Sequence, residues 1–485
     1  MPLETDILIL GAGPTGLGAA WRLSQLGHRD WLLCEAAAEA GGLAASVTDE
    51  HGFTWDLGGH VQFSHYDYFD DLMDELLGVE GWLYHERESW VWLRDTFVPY
   101  PFQLNLHRLP LEERWFCVRG LLRLQPNGAP KNFGEWIDAV FGEGIATIFM
   151  RPYNFKVWAY PPEELSRIWI GERVATVDVE RVIENVMRQR DDVSWGPNNQ
   201  FRFPKHGGTG AVWRTLANKL ETAHPAKLKM RHTLTKLDTE NHIAYFANGE
   251  RIRYRRLLNT IPLDTLVRLS DLADELGDAA NLLRHSSTHI IGVALHGEPA
   301  EALYKKCWMY FPESDSPFYR ATVFSHYSPN NVPDINLYWS LMVEVSESAQ
   351  KPVNRETIIE ETIQGLLNTK LIADRDAVHH TWYRRLEHGY PTPSLRRDEA
   401  LNQLLPAFAE RDVLSRGRFG AWKYEVSNQD HSFAQGVEAA EFWLTGTPEQ
   451  TVNDPERVNA HVSRRNSRNA DILSATQAKA VLRKK

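Results

Sequence analysis

The sequence predicts an α/β protein of three domains that are discontinuous along the chain. A Rossmann-like nucleotide-binding domain is interrupted by a helical domain and an antiparallel β-sheet domain. Three observations predict it. A strand, a glycine turn and a helix open the chain in DILILGAGPTGLGAAWRL. Helical periodicity takes over from about Pro110 to Arg190. Short alternating runs then recur from His289 to Arg385, as antiparallel strands do.

Each element has a local reason. Ile7 to Leu10 is an apolar run of the kind buried in a parallel sheet, and Gly11, Gly13 and Gly16 let the backbone turn, approach a pyrophosphate and pack the helix on the sheet. Pro14 and Thr15 open that helix, whose N-terminus faces the anion. Glu35 closes the next apolar run, WLLCE, about 20 residues on, where a carboxylate holds ribose hydroxyls. With the glycine pair Gly41 and Gly42, the combination points to a bound dinucleotide, FAD. FTWDLGGHVQFSH sets Gly58 and Gly59 where backbone can approach an isoalloxazine ring, followed by His60. WVWLRDTFVPYPF reads as two strands around an Arg94-Asp95-Thr96 turn. LEERWFCVRGLLRL, NFGEWIDAVFGEGIATIFMRPYNF and VATVDVERVIENVMRQR are the candidate helices of the inserted domain. Lys227 to Pro262 alternates like a hairpin and ends in a buried strand that returns to the nucleotide domain. HIIGVALHG, CWMYF, FYRATVFSHY, LYWSLMVEVS and HHTWYRRL follow as antiparallel strands, with one helix at about Glu356 to Leu367. GRFGAWKYEV closes that series, and NQDHSFAQGVEAAEFWLTG supplies an Asn or Asp cap and a helix. The expected division is nucleotide-binding over 1–88, 201–285 and 401–485, sheet over 89–107 and 286–400, and helical over 108–200.

Composition narrows the function. At 485 residues and 43% hydrophobic content the chain exceeds a single core and is not disordered. A net charge of -11 with no basic block argues against nucleic acid. Cys34, Cys117 and Cys307 are scattered without metal-ligand spacing, so no metal is expected and a reducing cytosol suits them. The first strand begins by Asp6, leaving no room for a signal peptide, and no apolar run approaches the ~20 residues that span a bilayer. The expectation is a cytoplasmic protein with no membrane partner. Helical surfaces suited to a homo-oligomer are present. Seventeen tryptophans and sixteen tyrosines provide amphipathic rings of the kind that line pockets for flat or sugar-like ligands.

The motifs GAGPTGLGAA, GGHVQFSHYDYFDD, VPYPFQ, FMRPYNFKVWA, GERV, GPNNQFRFP, GGTG, SSTHIIGV, CWMYFPESDSPFYRAT, VSES, HGYPTP and GRFGAWKYEVSNQDHSF cover nearly the whole chain. Together they resemble the UDP-galactopyranose mutase family, in the longer form of fungi and other eukaryotes. The resemblance implies a flavin-dependent isomerase that interconverts UDP-galactopyranose and UDP-galactofuranose by ring contraction with no net redox change. It implies covalent catalysis, in which N5 of reduced FAD attacks the sugar C1 and releases UDP, after priming by NADPH.

The resemblance also implies roles for residues. Arg173 in GERV and Arg320 in PFYRAT are expected to clamp the diphosphate, since a guanidinium fork binds oxygen pairs. Tyr390 and Tyr424 are expected as further diphosphate ligands, with Tyr310 beside them. Gln103 and Asn154 are assigned to the uracil edge, near Tyr100, Phe149, Tyr153 and Trp158. Asn198 and Trp308 are carried over as sugar and UDP contacts. Toward the cofactor, Gly42, Leu43, Gly59, Phe63 and Leu234 join the glycine turn, and His60 is placed near N5. Arg418 is placed to offset charge at N1, with Asn428, Gln429 and Ser432 at the following helix start. One departure is Ser427, where glycine is expected; a positive φ there would strain a serine. The segments His206 to Gly210 and Trp195 to Phe201 are expected to close over substrate, with GGTG as the hinge.

Two rivals stand beside this reading. An FAD-dependent oxidase or dehydrogenase of the amine oxidase clan would consume an acceptor at every turnover. A flavin-free binding protein resembling the GDP-dissociation inhibitors would be colourless. The two arginines and the NQDHS segment argue against both.

Overall fold

The computed structural model describes residues 2–125, 128–193, 199–461 and 463. Strand Leu3–Leu10 sits at the centre of a parallel sheet, between Arg251–Asn259 and Trp31–Cys34, with Val413–Ser415 and Leu228–Lys229 outside them. Three distant stretches of sequence therefore build one sheet. Register aligns Leu10 with both Cys34 and Asn259, and Asn259 with Ser415, so these strands end together along one edge. That edge is where ligands enter an open α/β sheet.

Alternate residues of the central strand feed two cores, Ile7 and Ile9 on one face and Leu8 and Leu10 on the other. Helices Pro14–Gln25 and Gln429–Thr445 cover the first face and touch so closely that a Cβ on Gly436 would lie 1.9 Å from the Thr15 carbonyl oxygen. Helix Arg397–Ala409 and the short helices Leu263–Leu269 and Ala273–Ala280 cover the second.

The second sheet runs in the order Val378–Thr392, Arg284–His296, Tyr338–Glu347, Arg320–Val323, Trp308–Tyr310, Ser89–Leu93, Thr96–Pro99. It is antiparallel as expected except between Trp308–Tyr310 and Ser89–Leu93, which run parallel. No hairpin links those two strands, so nothing local dictates their direction. The turn after Leu93 places Arg94 and Asp95 at φ 51° and 59°, the mirror-image geometry that matches strand twist.

Helices Leu111–Leu122, Phe133–Ile145, Arg151–Trp158 and Val179–Arg188 share a core with Val91, Leu93 and Val98 of the second sheet. The last begins only at Val179, because the Asp178 side chain accepts from the Glu180 and Arg181 amides. The long candidate helix is broken at Gly142 (φ 67°), where the chain passes Gly120. GRFGAWKYEV is not a strand. Positive φ at Gly417 and Trp422 and a tight turn in which Ser415 Oγ donates to the Gly420 carbonyl curl it, and Val413–Ser415 just upstream joins the parallel sheet instead. Among the described residues, no helix is long and apolar enough to cross a membrane.

Candidate functional site

A cavity of about 820 Å³ opens at the edge where the parallel strands end and extends to the second sheet, near the upper end of the roughly 300–1,000 Å³ typical of small-molecule sites. At one end stand Gly11, Gly13, Pro14, Thr15 and Glu35. Gly11 has φ 103° and Gly16 lies so close beneath it that a Cβ would sit 1.9 Å from the Gly11 carbonyl oxygen. Gly13 is different: a Cβ there would find no atom nearer than 3.8 Å, leaving room for a ligand at the start of the helix. Glu35 accepts from the Ala12 amide at 2.6 Å and the Ala37 amide at 2.8 Å, which fix its carboxylate at the cavity wall. An adenine dinucleotide fits this end, since backbone donors, a helix N-terminus and a fixed carboxylate are the groups that bind one.

The middle of the cavity is bounded by Gly42, Leu43, Gly59, His60 and Phe63, and across from them by Arg418, Asn428, Gln429 and Ser432. His60 Nδ1 is buried without a hydrogen-bond partner, and burial pushes its imidazole down to about 4, so it faces the cavity neutral. The loop carrying it is tied down at His65, whose backbone N–H and Nδ1 both meet Asp430 Oδ2, at 3.0 and 2.8 Å. Ser427 has φ -120°, so the positive φ that would have strained a serine does not occur there. Its hydroxyl accepts from Arg418 Nη1 at 2.9 Å and donates to the Tyr424 carbonyl.

At the far end, Arg320 stands directly opposite Glu344 on the neighbouring antiparallel strand. Its Nε and Nη2 donate to the two carboxylate oxygens at 2.8 and 2.6 Å. Burial works against both charges, but each holds the other: the arginine is kept well above its ordinary value and the carboxyl below its own. Glu344 also accepts from the Gly59 amide and the Tyr319 hydroxyl, so one carboxylate sets both the glycine pair and the arginine. The Arg320 guanidinium lies 4.9 Å from the Trp308 ring. Arg173 reaches the same cavity from the helical side, donating to the Glu425 carbonyl at 2.8 Å and lying 5.0 Å from the Tyr424 ring. Tyr100, Tyr310, Tyr390 and Tyr424 complete the wall. Burial raises Tyr310 and Tyr390 above the ordinary tyrosine value, so both hydroxyls remain donors.

Comparison with known proteins agrees with this geometry. Residues 14–289 match the family of flavin containing amine oxidoreductases. Among solved structures, the chain is 49% identical to a reduced UDP-galactopyranose mutase, with a TM-score of 0.91 over 95% of this chain and 98% of that one. The chain belongs to the UDP-galactopyranose mutase family. A fatty acid isomerase from P. acnes (13% identical, TM-score 0.60, 91% of this chain and 99% of that one) and a putrescine oxidase bound to putrescine (14%, 0.57, 92% and 100%) share the fold. Among curated proteins, a 15-cis-phytoene desaturase of Glycine max is 36% identical over 86 residues, 18% of this chain and 15% of that relative.

Not every residue assigned from the resemblance to the mutase family reaches the cavity. Gly16 works underneath it, as the contact that seats the helix. Leu234 lies in an antiparallel extension of the parallel sheet, paired with Phe246, and does not line it. Gln103 Nε2 is spent on the Ala175 carbonyl, and Asn154 Nδ2 on the Met150 carbonyl one helical turn back at 2.7 Å. Phe149 and Trp158 are 2% and 1% exposed and stand behind the wall, Phe149 stacked on Tyr153 and Trp158 edge-on to Tyr424. Phe149 and Trp158 therefore back the tyrosines, and none of the four lines the cavity. Asn198 lies outside the described residues, as does most of the Trp195 to Phe201 segment. The GGTG segment is tied down at its second half: Thr209 and Gly210 amides donate to Asp56 and Ser46, and a Cβ on Gly208 would lie 2.4 Å from Asp56 Oδ1. Glu344 was the principal residue missed. Its signal was a lone acid among the apolar residues of LYWSLMVEVS.

The buried His65, Asp430 and His431 group beside the cavity makes stability pH-dependent. Burial pushes the His431 imidazole down to about 3 against the pull of Asp430. The unfolded chain therefore binds a proton below about pH 6.5 that the native chain refuses. Stability falls as pH drops through that window, by up to about 1.4 kcal/mol per pH unit for one such group. His60 acts in the same direction. Urea midpoints measured from pH 7 to 4 should decline, and His431→Phe should flatten the decline by close to one proton; an unchanged slope would show that His431 is charged in the native state.

Proposed function

We propose that the protein is a flavin-dependent isomerase that interconverts UDP-galactopyranose and UDP-galactofuranose by ring contraction with no net redox change. NADPH is the proposed priming reductant. What supports this reading is a single observation: two fixed guanidinium groups, Arg173 and Arg320, enter from opposite domains the same cavity that holds the dinucleotide-binding turn. Gly11 to Thr15, Glu35, Gly59 and Ser432 would hold FAD, which when reduced would supply the nucleophilic nitrogen this chemistry needs.

The residues of the chain do the rest. The cavity carries Arg87, Arg173, Arg320, Arg384, Arg385 and Arg418 against Glu35, Glu344, Glu387 and Asp430, a cationic excess inside a chain of net charge -11. A diphosphate leaving group is neutralised there, with Arg173 and Arg320 as the forked donors and the Tyr390 and Tyr424 hydroxyls adding uncharged ones. The indole of Trp308 beside Arg320 offers an apolar face to the sugar ring. Neutral His60 donates or accepts one hydrogen bond at the cofactor without adding charge. Arg418, oriented by Ser427 and the Gly389 carbonyl, supplies the positive charge opposite His60.

Dithionite-reduced holoprotein incubated with UDP-galactofuranose should yield UDP-galactopyranose, separable by chromatography, while the oxidised protein should yield none. Equal conversion by both forms would reject the proposal. Conversion by neither, with steady reduction of an acceptor by an amine, would support the oxidase instead.

A further inference from the structure

We propose a second site, a surface site for a divalent transition-metal ion of the zinc class, built from His51, His379 and His380 and unrelated to the cavity. One ligand atom from each of the three rings lies within 4.8 Å of the other two. Adjacent residues of a regular strand point to opposite faces, so His379 and His380 should diverge. They converge instead because the edge strand Val378–Thr392 is bulged there: Ala294 pairs with His380 and Leu295 with Val378, leaving His379 as the extra residue. The two rings consequently stand 5.1 Å apart, and His51 packs over them at 5.5 and 4.2 Å.

One carboxylate pre-arranges the group. Asp49 Oδ1 accepts the His51 and Phe53 amides, both at 3.0 Å, and so shapes the turn that carries His51. Asp49 Oδ2 accepts the Trp55 indole at 2.7 Å and His380 Nε2 at 2.8 Å. Donation from Nε2 leaves the lone pair on Nδ1, which is buried with no hydrogen-bond partner. A carboxylate behind an imidazole, with the opposite nitrogen bare, is the outer arrangement that tunes histidine ligands of zinc. Tetrahedral coordination at 2.0–2.1 Å needs nitrogens about 3.3 Å apart, so the three rings, whose ligand atoms lie within 4.8 Å of one another, would have to close in on the ion. Three imidazole ligands select zinc, nickel or copper over calcium or magnesium. The sequence shows no metal-ligand spacing because the ligands meet from a hairpin turn and an edge strand more than three hundred positions apart. The bound ion would pin the turn at Asp49–Phe53 to the edge of the second sheet.

The test uses untagged holoprotein titrated with zinc chloride in a calorimeter at pH 7.5, and with cobalt chloride under visible absorption. One equivalent of zinc should bind, cobalt should give intense bands of a four-coordinate ion, and the His51→Ala/His379→Ala double variant should bind at least tenfold more weakly. The half-exposed positions of these side chains predict unchanged flavin content and thermal midpoint for that variant without metal. No zinc binding by the wild-type chain, or equal affinity in the double variant, would overturn the site.

Discussion

Replacing Arg320 with alanine should lower kcat/KM for UDP-galactofuranose by about 10²–10³, equivalent to roughly 3–4 kcal/mol. Two losses combine in that variant. The leaving diphosphate loses its forked donor, and Glu344 is left buried with no cation, a change that costs about 3–5 kcal/mol of stability on its own. The double variant Arg320→Ala/Glu344→Gln separates them. Glutamine keeps an oxygen toward the Gly59 amide or the Tyr319 hydroxyl while removing the stranded charge. Its thermal midpoint should recover toward wild type and its kcat/KM should not. Recovery of both would make the pair a structural ion pair only, and recovery of neither would place the defect in local misfolding around Glu344.

The glycine turn predicts the second large effect. Gly16→Ala forces a Cβ to within 1.9 Å of the Gly11 carbonyl oxygen and 3.2 Å of Ile9 Cγ2, so the helix Pro14–Gln25 must leave the sheet. Overpacking of this kind costs about 1–3 kcal/mol or more, and here it also removes the helix N-terminus from the anion. The purified variant should be colourless with a depressed thermal midpoint. Gly13→Ala is the informative contrast, because the space beside Gly13 is open. That variant should keep a near-normal midpoint as apoprotein while retaining less flavin, since the added methyl fills the space the pyrophosphate needs. A yellow Gly16→Ala protein with full flavin content would contradict this account of the turn.

Much of the architecture was legible because it is written locally. Ile7 to Leu10, the glycine turn and Glu35 carry strand, turn and acid within one short stretch, and Arg94-Asp95 sits between two alternating runs. What escaped was decided by partners far along the chain. Trp308–Tyr310 runs parallel to Ser89–Leu93 because of where the intervening helices return it, not because of its own residues. GRFGAWKYEV has strand-like alternation, but Gly417 and Trp422 at positive φ curl it under the parallel sheet. The site divides in the same way. Arg173, Arg320, Tyr390 and Tyr424 were found through motif resemblance, and the structure brings them to one cavity. Glu344 becomes meaningful only through its register with Arg320. Gln103 and Asn154 have the right chemistry for a base edge, yet their amide nitrogens are committed to backbone carbonyls of the helical domain. Ser427 reads in sequence as a departure that only a positive φ would strain, and its φ of -120° leaves it relaxed and holding Arg418.

The claim on which this account rests is that electrons prime the cofactor and are not consumed by the isomerisation. The most direct measurement counts, under strict anaerobiosis, moles of NADPH oxidised against moles of UDP-galactofuranose converted by the same holoprotein sample. The account predicts that oxidation stops near one equivalent per flavin while conversion continues through many turnovers. One NADPH oxidised for every sugar converted would contradict it.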